Sequence, residues 1–263
     1  MKIVEFKIFN TSADYFVIVE KIKYNNNLKI IEQEYSRKIE STNEIQYYLT
    51  NILNTIDFRK NKIFINYISN DVLIETLNSN DLKFNLNKEL NMIYPNYHLD
   101  YNLFTGEIKM NSKNKKIVCA LVKIEVINKI KTFISFVGKK EIYFGLDILM
   151  LQCFINKNIS LFSKKYILLI QKNYIFYRFY QFLNGKIVNY LILNEESNEF
   201  KNIYKSVINK IDGKVDEVIF EGDYKTYHML IDQLFNVNIH YIDYNDKLKN
   251  LDERKLIYGK NKI

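Results

Sequence analysis

Three histidines, two cysteines and a few strand and turn carboxylates are the residues of this chain that could do chemistry, and their spacing limits what they can do. His98, His228 and His240 fall in separate segments, and none has a partner at a metal-site spacing such as His-x-x-x-His or Cys-x-x-Cys. Ordinary surface or half-buried imidazoles are expected. His98 and Asp100 stand two apart on an expected strand, which would put them on one face as an acid–base pair, but no nucleophile motif lies near them. Cys119 and Cys153 each sit inside an apolar segment, where a thiol is reduced, buried and inert. A metal-dependent nuclease needs several carboxylates converging on an ion. Glu5, Asp14, Asp147 and Asp223 are available for that, although Asp147 reads more simply as a helix cap. No catalytic constellation emerges, and the expectation is a binding protein with no metal and no cofactor.

The run Tyr174, Phe176, Tyr177, Phe179, Tyr180 and Phe182, with Lys172 and Arg178, has the composition of a platform for single-stranded nucleic acid. The same pattern suits a strand buried on one face. Aromatics make up 15% of the whole chain, so the cluster is not distinctive and core packing is its expected role. The net charge of +8 raises the same question of an anionic partner. Half of that surplus lies in residues 247–263, where Lys247, Lys249, Arg254, Lys255, Lys260 and Lys262 outweigh Asp252 and Glu253. A solvated basic tail is expected there, with contact to a membrane surface as the alternative.

No stretch approaches the roughly 20 apolar residues of a membrane span, since Lys123 and Glu125 interrupt the run from Ile117 to Ile127. Met1 to Asn10 alternates charged and apolar residues without the pattern of a cleaved leader. A cytoplasmic protein is expected.

The elements that must position these residues begin with three strands, Met1 to Ile8, Tyr15 to Ile22 and Leu28 to Tyr35. Ser41 or Thr42 then caps a helix to about Ile56, and Lys62 to Ser69 with Val72 to Leu77 reads as a hairpin around Ser69-Asn70-Asp71. A short helix from Asn87 stops at Pro95, the single proline. Tyr97 to Tyr101 and Lys115 to Val122 read as strands, Ile124 to Val137 as a helix, Glu141 to Phe144 as a strand and Asp147 to Asn156 as a helix. From Tyr166 the order restarts. Strands to Gln171 and from Tyr174 to Leu183 lead to Asn184-Gly185, the strongest short hairpin signal in the chain, and a strand to Leu193. Helix, strand, helix and strand follow at 199–211, 217–221, 224–235 and 238–242.

This doubled order resembles the actin-like fold, and in particular the PilM-type pilus-assembly proteins and the cytoplasmic domain of their secretion relative GspL. Met1 to Glu20 is similar to the family's opening strand, phosphate turn and second strand, and Lys62 to Leu77 to its strand pair. Ile117 to Lys123 resembles the strand and lysine that precede a helix, Gly145-Leu146-Asp147 the turn into the interlobe helix, and Val218 to Asp223 the late strand and its glycine turn. The resemblance implies an α/β, two-lobed, ribonuclease H-like fold of mixed sheets flanked by helices. It would comprise an N-terminal lobe over 1–160 with an inserted subdomain at about 62–125, a C-terminal lobe over 161–246 and a basic tail over 247–263.

Actin-like ATPases hold phosphate with glycine-rich turns and place an Asp beside the metal. Here the corresponding positions depart from that pattern. The first turn, with Asn10, Thr11 and Ser12, has no glycine, and Lys7 falls where the strand Asp belongs. The second, with Gln171, Lys172 and Asn173, has neither Asp nor Gly, and the third replaces a glycine pair with Glu221, Gly222 and Asp223. The expectation is therefore a pseudo-ATPase without nucleotide. It would act as a non-enzymatic scaffold of a type IV pilus or type II secretion-like assembly at the inner face of the cell membrane, gripping a short segment of an inner-membrane partner. The alternatives are a basic nucleic-acid-binding protein and a divergent kinase-like enzyme.

Overall fold

The computed structural model describes residues 2–11, 15–25, 28–39, 44, 47–48, 50–52, 62–79, 84–109, 115–137, 142–149, 151–152, 165–211, 214–234 and 237–243. They belong to two compact units, one built on Met1–Asn156 and the other on Lys157–Lys249. The basic tail and Ser12 lie outside the described residues.

In the first unit, β1 (Lys2–Asn10), β2 (Tyr15–Asn25) and β3 (Leu28–Ile39) form the expected antiparallel meander. One face of β1 carries Val4, Phe6 and Ile8, all 0–2% exposed, and the other carries Glu5 and Lys7. β4 (Lys62–Ser69) runs parallel to β1 and β8 (Ile142–Leu146) parallel to β4, giving the order β3-β2-β1-β4-β8. The expected hairpin after Ser69 is absent. Seven consecutive residues of β4 are buried, the mark of an interior parallel strand covered on both faces, whereas β5 (Leu73–Asn78) is only half-buried.

β5 instead joins β7 (Lys115–Lys123) and β6 (Tyr101–Lys109) in a second, antiparallel sheet of order β5-β7-β6. The helix α1 (Leu86–Ile93) begins where the Asn85 side chain accepts from the Lys88 amide at 3.1 Å and ends just before Pro95. Tyr97–Asp100 is a helical turn, α2, and not the expected strand. Asn96 takes a positive φ of 58° after Pro95 and swings the chain into that turn, so the strand starts at Tyr101. Leu90, Tyr97, Cys119 and Leu121 close a small core beneath it. α3 (Ile124–Val137) follows β7 directly, as expected. The described part of the expected helix at 42–56 is helical at Glu44, Tyr47, Tyr48 and residues 50–52, and a helix starts at Asp147 itself.

The second unit repeats the first sheet. β9 (Tyr166–Asn173), β10 (Phe176–Leu183), β11 (Lys186–Asn194), β12 (Glu217–Gly222) and β13 (Asn238–Asp243) take the order β11-β10-β9-β12-β13, antiparallel on one side of β9 and parallel on the other. Asn184 and Gly185 make the β10–β11 turn with φ of 52° and 74°, the tight turn that the Asn-Gly pair specifies. α4 (Phe200–Ile211) and α5 (Tyr224–Ile231) pack Ile208, Ile211 and Leu230 on Leu168, Ile170, Tyr177, Phe179 and Phe220. Two sheets of one strand order, each of three antiparallel and then parallel strands, constitute the actin-like architecture.

Cys119 is fully buried in β7, and burial, with Glu75 adding to it, pushes its thiol up to about 11. In a Cys153→Ser variant, Cys119 should stay unlabelled by a thiol reagent at pH 8 until denaturant is added; labelling of the native protein at a free thiol's rate would contradict this burial.

Candidate functional site

The parallel pairing of β9 with β12 sets Gln171 directly opposite Glu221 and brings two of the three expected phosphate turns together. Gln171 and Glu221 are 7% and 2% exposed, and Gln171 Nε2 donates to Glu221 Oε2 at 2.6 Å. A carboxylate that phosphate would have to displace already holds its partner. Gly222 follows, and it is closed in by its own neighbours. A Cβ there would stand 2.7 Å from Phe220 Cζ and 3.1 Å from Lys172 Cβ, so the glycine makes room for a ring and an alkyl stem.

Asp223 is the N-cap of α5. Its carboxylate accepts from the Thr226 amide at 2.9 Å and from Thr226 Oγ1 at 2.8 Å. Burial alone would raise its pKa, but these hydrogen bonds, with the charge of Lys172, hold it below the usual carboxylate value. The helix N-terminus, which attracts anions, is thus already capped by an anion of the chain itself.

Lys172 is the cation nearest these carboxylates on β9, and it is engaged elsewhere. Its Nζ lies 3.1 Å from Glu195 Oε2 and 4.9 Å from the centre of the Tyr177 ring. Burial would lower its pKa; the contacts with Glu195 and Tyr177 outweigh that and raise it. The Asn173 amide oxygen accepts from Arg178 Nη2 and its nitrogen donates to the Lys172 carbonyl at 3.2 Å. Gln171, Lys172 and Asn173 are therefore strand residues, and the turn that sequence placed on them lies at Tyr174 and Ile175. Tyr174 reaches a φ of 53° without being Gly or Asn, so its composition gave no signal.

In the first unit, Asn10 ends β1 at 5% exposure and donates through Nδ2 to Tyr67 Oη at 3.0 Å and to Asp71 Oδ2 at 3.1 Å. The Asp71 amide donates back to Ser69 Oγ at 3.0 Å. Thr11 follows, half-buried. Burial, and then the charges of Tyr67, Asp71 and Glu125, push the Tyr15 phenol up to about 12. Two carboxylates thus act on the strand ends that flank the first turn. Sequence reasoning missed Tyr67, Asp71 and Glu125, because only the parallel β1–β4 register brings Ser69 beside Asn10.

Lys7, at the position of the family's strand Asp, is 8% exposed, and its Nζ bonds Glu20 Oε1 at 2.6 Å. Glu5 and Glu20, 2% and 1% exposed, stand directly opposite each other on β1 and β2 and on the face of Lys7. The ammonium offsets carboxylates that could not otherwise be buried together.

The remaining candidates do not assemble. Among the described residues, no group of three or more His, Cys, Asp or Glu side chains is placed to hold a metal. His98 and Asp100 sit on a helical turn, where residues two apart diverge, so they do not share the face expected of a strand pair. The His228 ring meets Tyr224 edge-on at 4.3 Å, and His240 lies 3.9 Å from Glu217. Phe176, Tyr177, Phe179, Tyr180 and Phe182 are 0–3% exposed and belong to the core; only Tyr174, at 41%, is open to solvent. They cannot stack on bases.

The fold and these filled turns define an actin-like α/β protein. No protein-family model matches the chain, and no curated protein matches its sequence. Among solved structures it is similar to a chain of the PilM–PilN type IV pilus biogenesis complex, with 9% identity over 97% of this chain and 94% of that one and a TM-score of 0.56. It is also similar to a Bacteroides thetaiotaomicron protein with an actin-like ATPase fold and unknown function (13% identity, 97% and 95% covered, TM-score 0.49). A third is the cytoplasmic domain of EpsL, an inner membrane component of the type II secretion system of Vibrio cholerae (7%, 82% and 81%, 0.43). At these identities the likeness is one of fold. No helix among the described residues is long and apolar enough to cross a membrane.

Two substitutions test the site's internal bonding. Lys7→Met should cost about 3–5 kcal/mol in urea denaturation by stranding the buried Glu20 carboxylate, and adding Glu20→Leu should recover most of it. A double variant no more stable than the single one would show that the pair is not coupled. Asp223→Ala should cost about 1 kcal/mol at pH 7. Because the folded-state pKa of Asp223 is lowered, its contribution is complete above the ordinary carboxylate pKa and fades as pH falls through the folded value. The gap between wild type and variant should therefore close in acid; a gap independent of pH would assign the loss to something other than the charged cap.

Proposed function

We propose that this chain is a non-hydrolysing actin-like scaffold of a pilus- or secretion-type assembly, acting at the cytoplasmic face of the inner membrane by holding a short extended segment of a membrane-anchored partner. The observation that carries this reading is that the turn positions expected to meet phosphate are bonded to the chain itself. Gln171 holds Glu221, Phe220 and Lys172 close over Gly222, and Asp223 caps α5. Phosphate oxygens need free backbone amides and positive charge; this turn offers carboxylates in their place. The likeness in fold to a chain of the PilM–PilN complex supports the choice of partner class. Such a partner would add a strand to a sheet edge, with main-chain hydrogen bonds supplying affinity and side-chain pockets supplying specificity.

Two measurements on the purified full chain test the two halves of the proposal. A ligand of the native state at about 100 times its Kd adds about 2.7 kcal/mol of stability. Millimolar ATP with Mg²⁺ should therefore leave the melting temperature unchanged, and a clear upward shift would overturn the nucleotide-free reading. Fluorescent peptides covering the cytoplasmic segments of pilus and secretion membrane proteins from the same genome should include one that binds saturably. If none binds, the scaffold assignment fails independently of the ATP result.

A further inference from the structure

β3 forms one edge of the first sheet. It spans 12 residues, and among the described residues it pairs with β2 alone. A long edge strand is a template for another chain, and proteins commonly guard one with charges of a single sign. The charges of β3 follow a different order. After Lys29 come Glu32 and Glu34, then Tyr35 and Ser36, then Arg37 and Lys38; Glu32, Glu34, Ser36, Arg37 and Lys38 are exposed and Tyr35 is half-buried. Glu32 lies 3.6 Å from Lys21 and Arg37 lies over the Tyr48 ring at 5.5 Å, contacts within the unit that leave the backbone edge untouched.

We propose that β3 is a homodimerisation edge, at which two copies of this chain pair β3 against β3 in antiparallel fashion about a two-fold axis through Ser36. A two-fold axis perpendicular to a sheet preserves its faces, so facing residues must share a face. Glu34, Ser36 and Lys38 lie on one face, opposite Glu20, Ile18 and Phe16 of β2; Tyr35 and Arg37 lie on the other, opposite Val19 and Val17. With Ser36 at the centre, Glu34 of each copy faces Lys38 of the other, and Tyr35 of each faces Arg37 of the other. Both contacts occur twice, as an isologous interface requires. Facing opposite charges stabilise strand pairs and facing like charges oppose them. Over residues 34–38 antiparallel pairing reverses the order of charges and brings opposite signs together, whereas parallel pairing in register would set Glu on Glu and Lys on Lys. The corresponding edge of the second sheet, β11, lacks this design. Its one charged residue is Lys186; a bulge interrupts its register, as one interrupts that of β3 opposite Lys21 and Ile22, clear of residues 34–38. The occupant of the β3 edge is thus a second copy of the chain, joined in a continuous ten-stranded sheet.

Analytical ultracentrifugation of the full chain over a concentration series tests this, with circular dichroism to establish that each variant folds. The wild type should dimerise, more weakly as salt rises. Glu34→Lys and Lys38→Glu should each raise the dimer Kd by at least about tenfold, and the two together should restore it, because the swapped pair is again complementary. In a Cys153→Ser background, Ser36→Cys should form a disulfide-linked dimer on oxidation, since facing Cα atoms at the axis stand about 4.5–5.5 Å apart, within disulfide range. A monomeric wild type overturns the proposal, as it would if the edge served a strand of a different protein. A dimer that neither reversal weakens, or folded single variants that the double swap fails to rescue, overturns it equally.

Discussion

Parallel strand pairing inside a sheet buries both faces of the strands concerned, and every polar side chain there must then find its partner without water. β1 with β4 and β9 with β12 are the pairs on which both sheets are built, and both carry polar residues into the interior. The Lys7–Glu20 pair, the Asn10–Tyr67–Asp71 chain and the Gln171–Glu221 bond all follow from that condition. A buried donor or acceptor left without a partner costs about 1–3 kcal/mol, so these contacts are constraints on the fold as much as features of a site. Breaking these contacts would unsettle the strands that carry the turns.

The sequence was most readable where local chemistry decides the outcome. Asn184-Gly185 demanded a tight hairpin, Pro95 ended α1, and the apolar period of Ile124 to Val137 marked α3 to the residue. It was least readable where long-range pairing decides. Lys62–Ser69 and Leu73–Asn78 look alike as strands, yet one is an interior parallel strand and the other joins a separate sheet; no turn signal at Asn70-Asp71 distinguishes the two outcomes. Tyr101–Lys109 hid behind the helical turn at Tyr97, and Gly106 within it masked the strand pattern.

The candidate site divides along the same line. That the residue types at Asn10, Gln171, Glu221 and Asp223 depart from a glycine-rich turn was legible at once, since that needs only composition. What the composition could not disclose is that these side chains satisfy one another. Asp223 and Thr226 are three residues apart and form a recognisable cap, but Gln171 and Glu221 are 50 residues apart and meet only through the β9–β12 register.

The tight seat of Gly222 has a consequence for which substitutions the neighbouring positions can accept. A second glycine beside it, at position 221, would remove the carboxylate that accepts from the buried Gln171 amide. Replacing Gln171 first removes the bond that its Nε2 makes to the buried Glu221 carboxylate. Either order passes through a destabilised intermediate, so positions 171 and 221 are free to change only together, and the exposed surface of the chain can diversify far more readily than this buried pair.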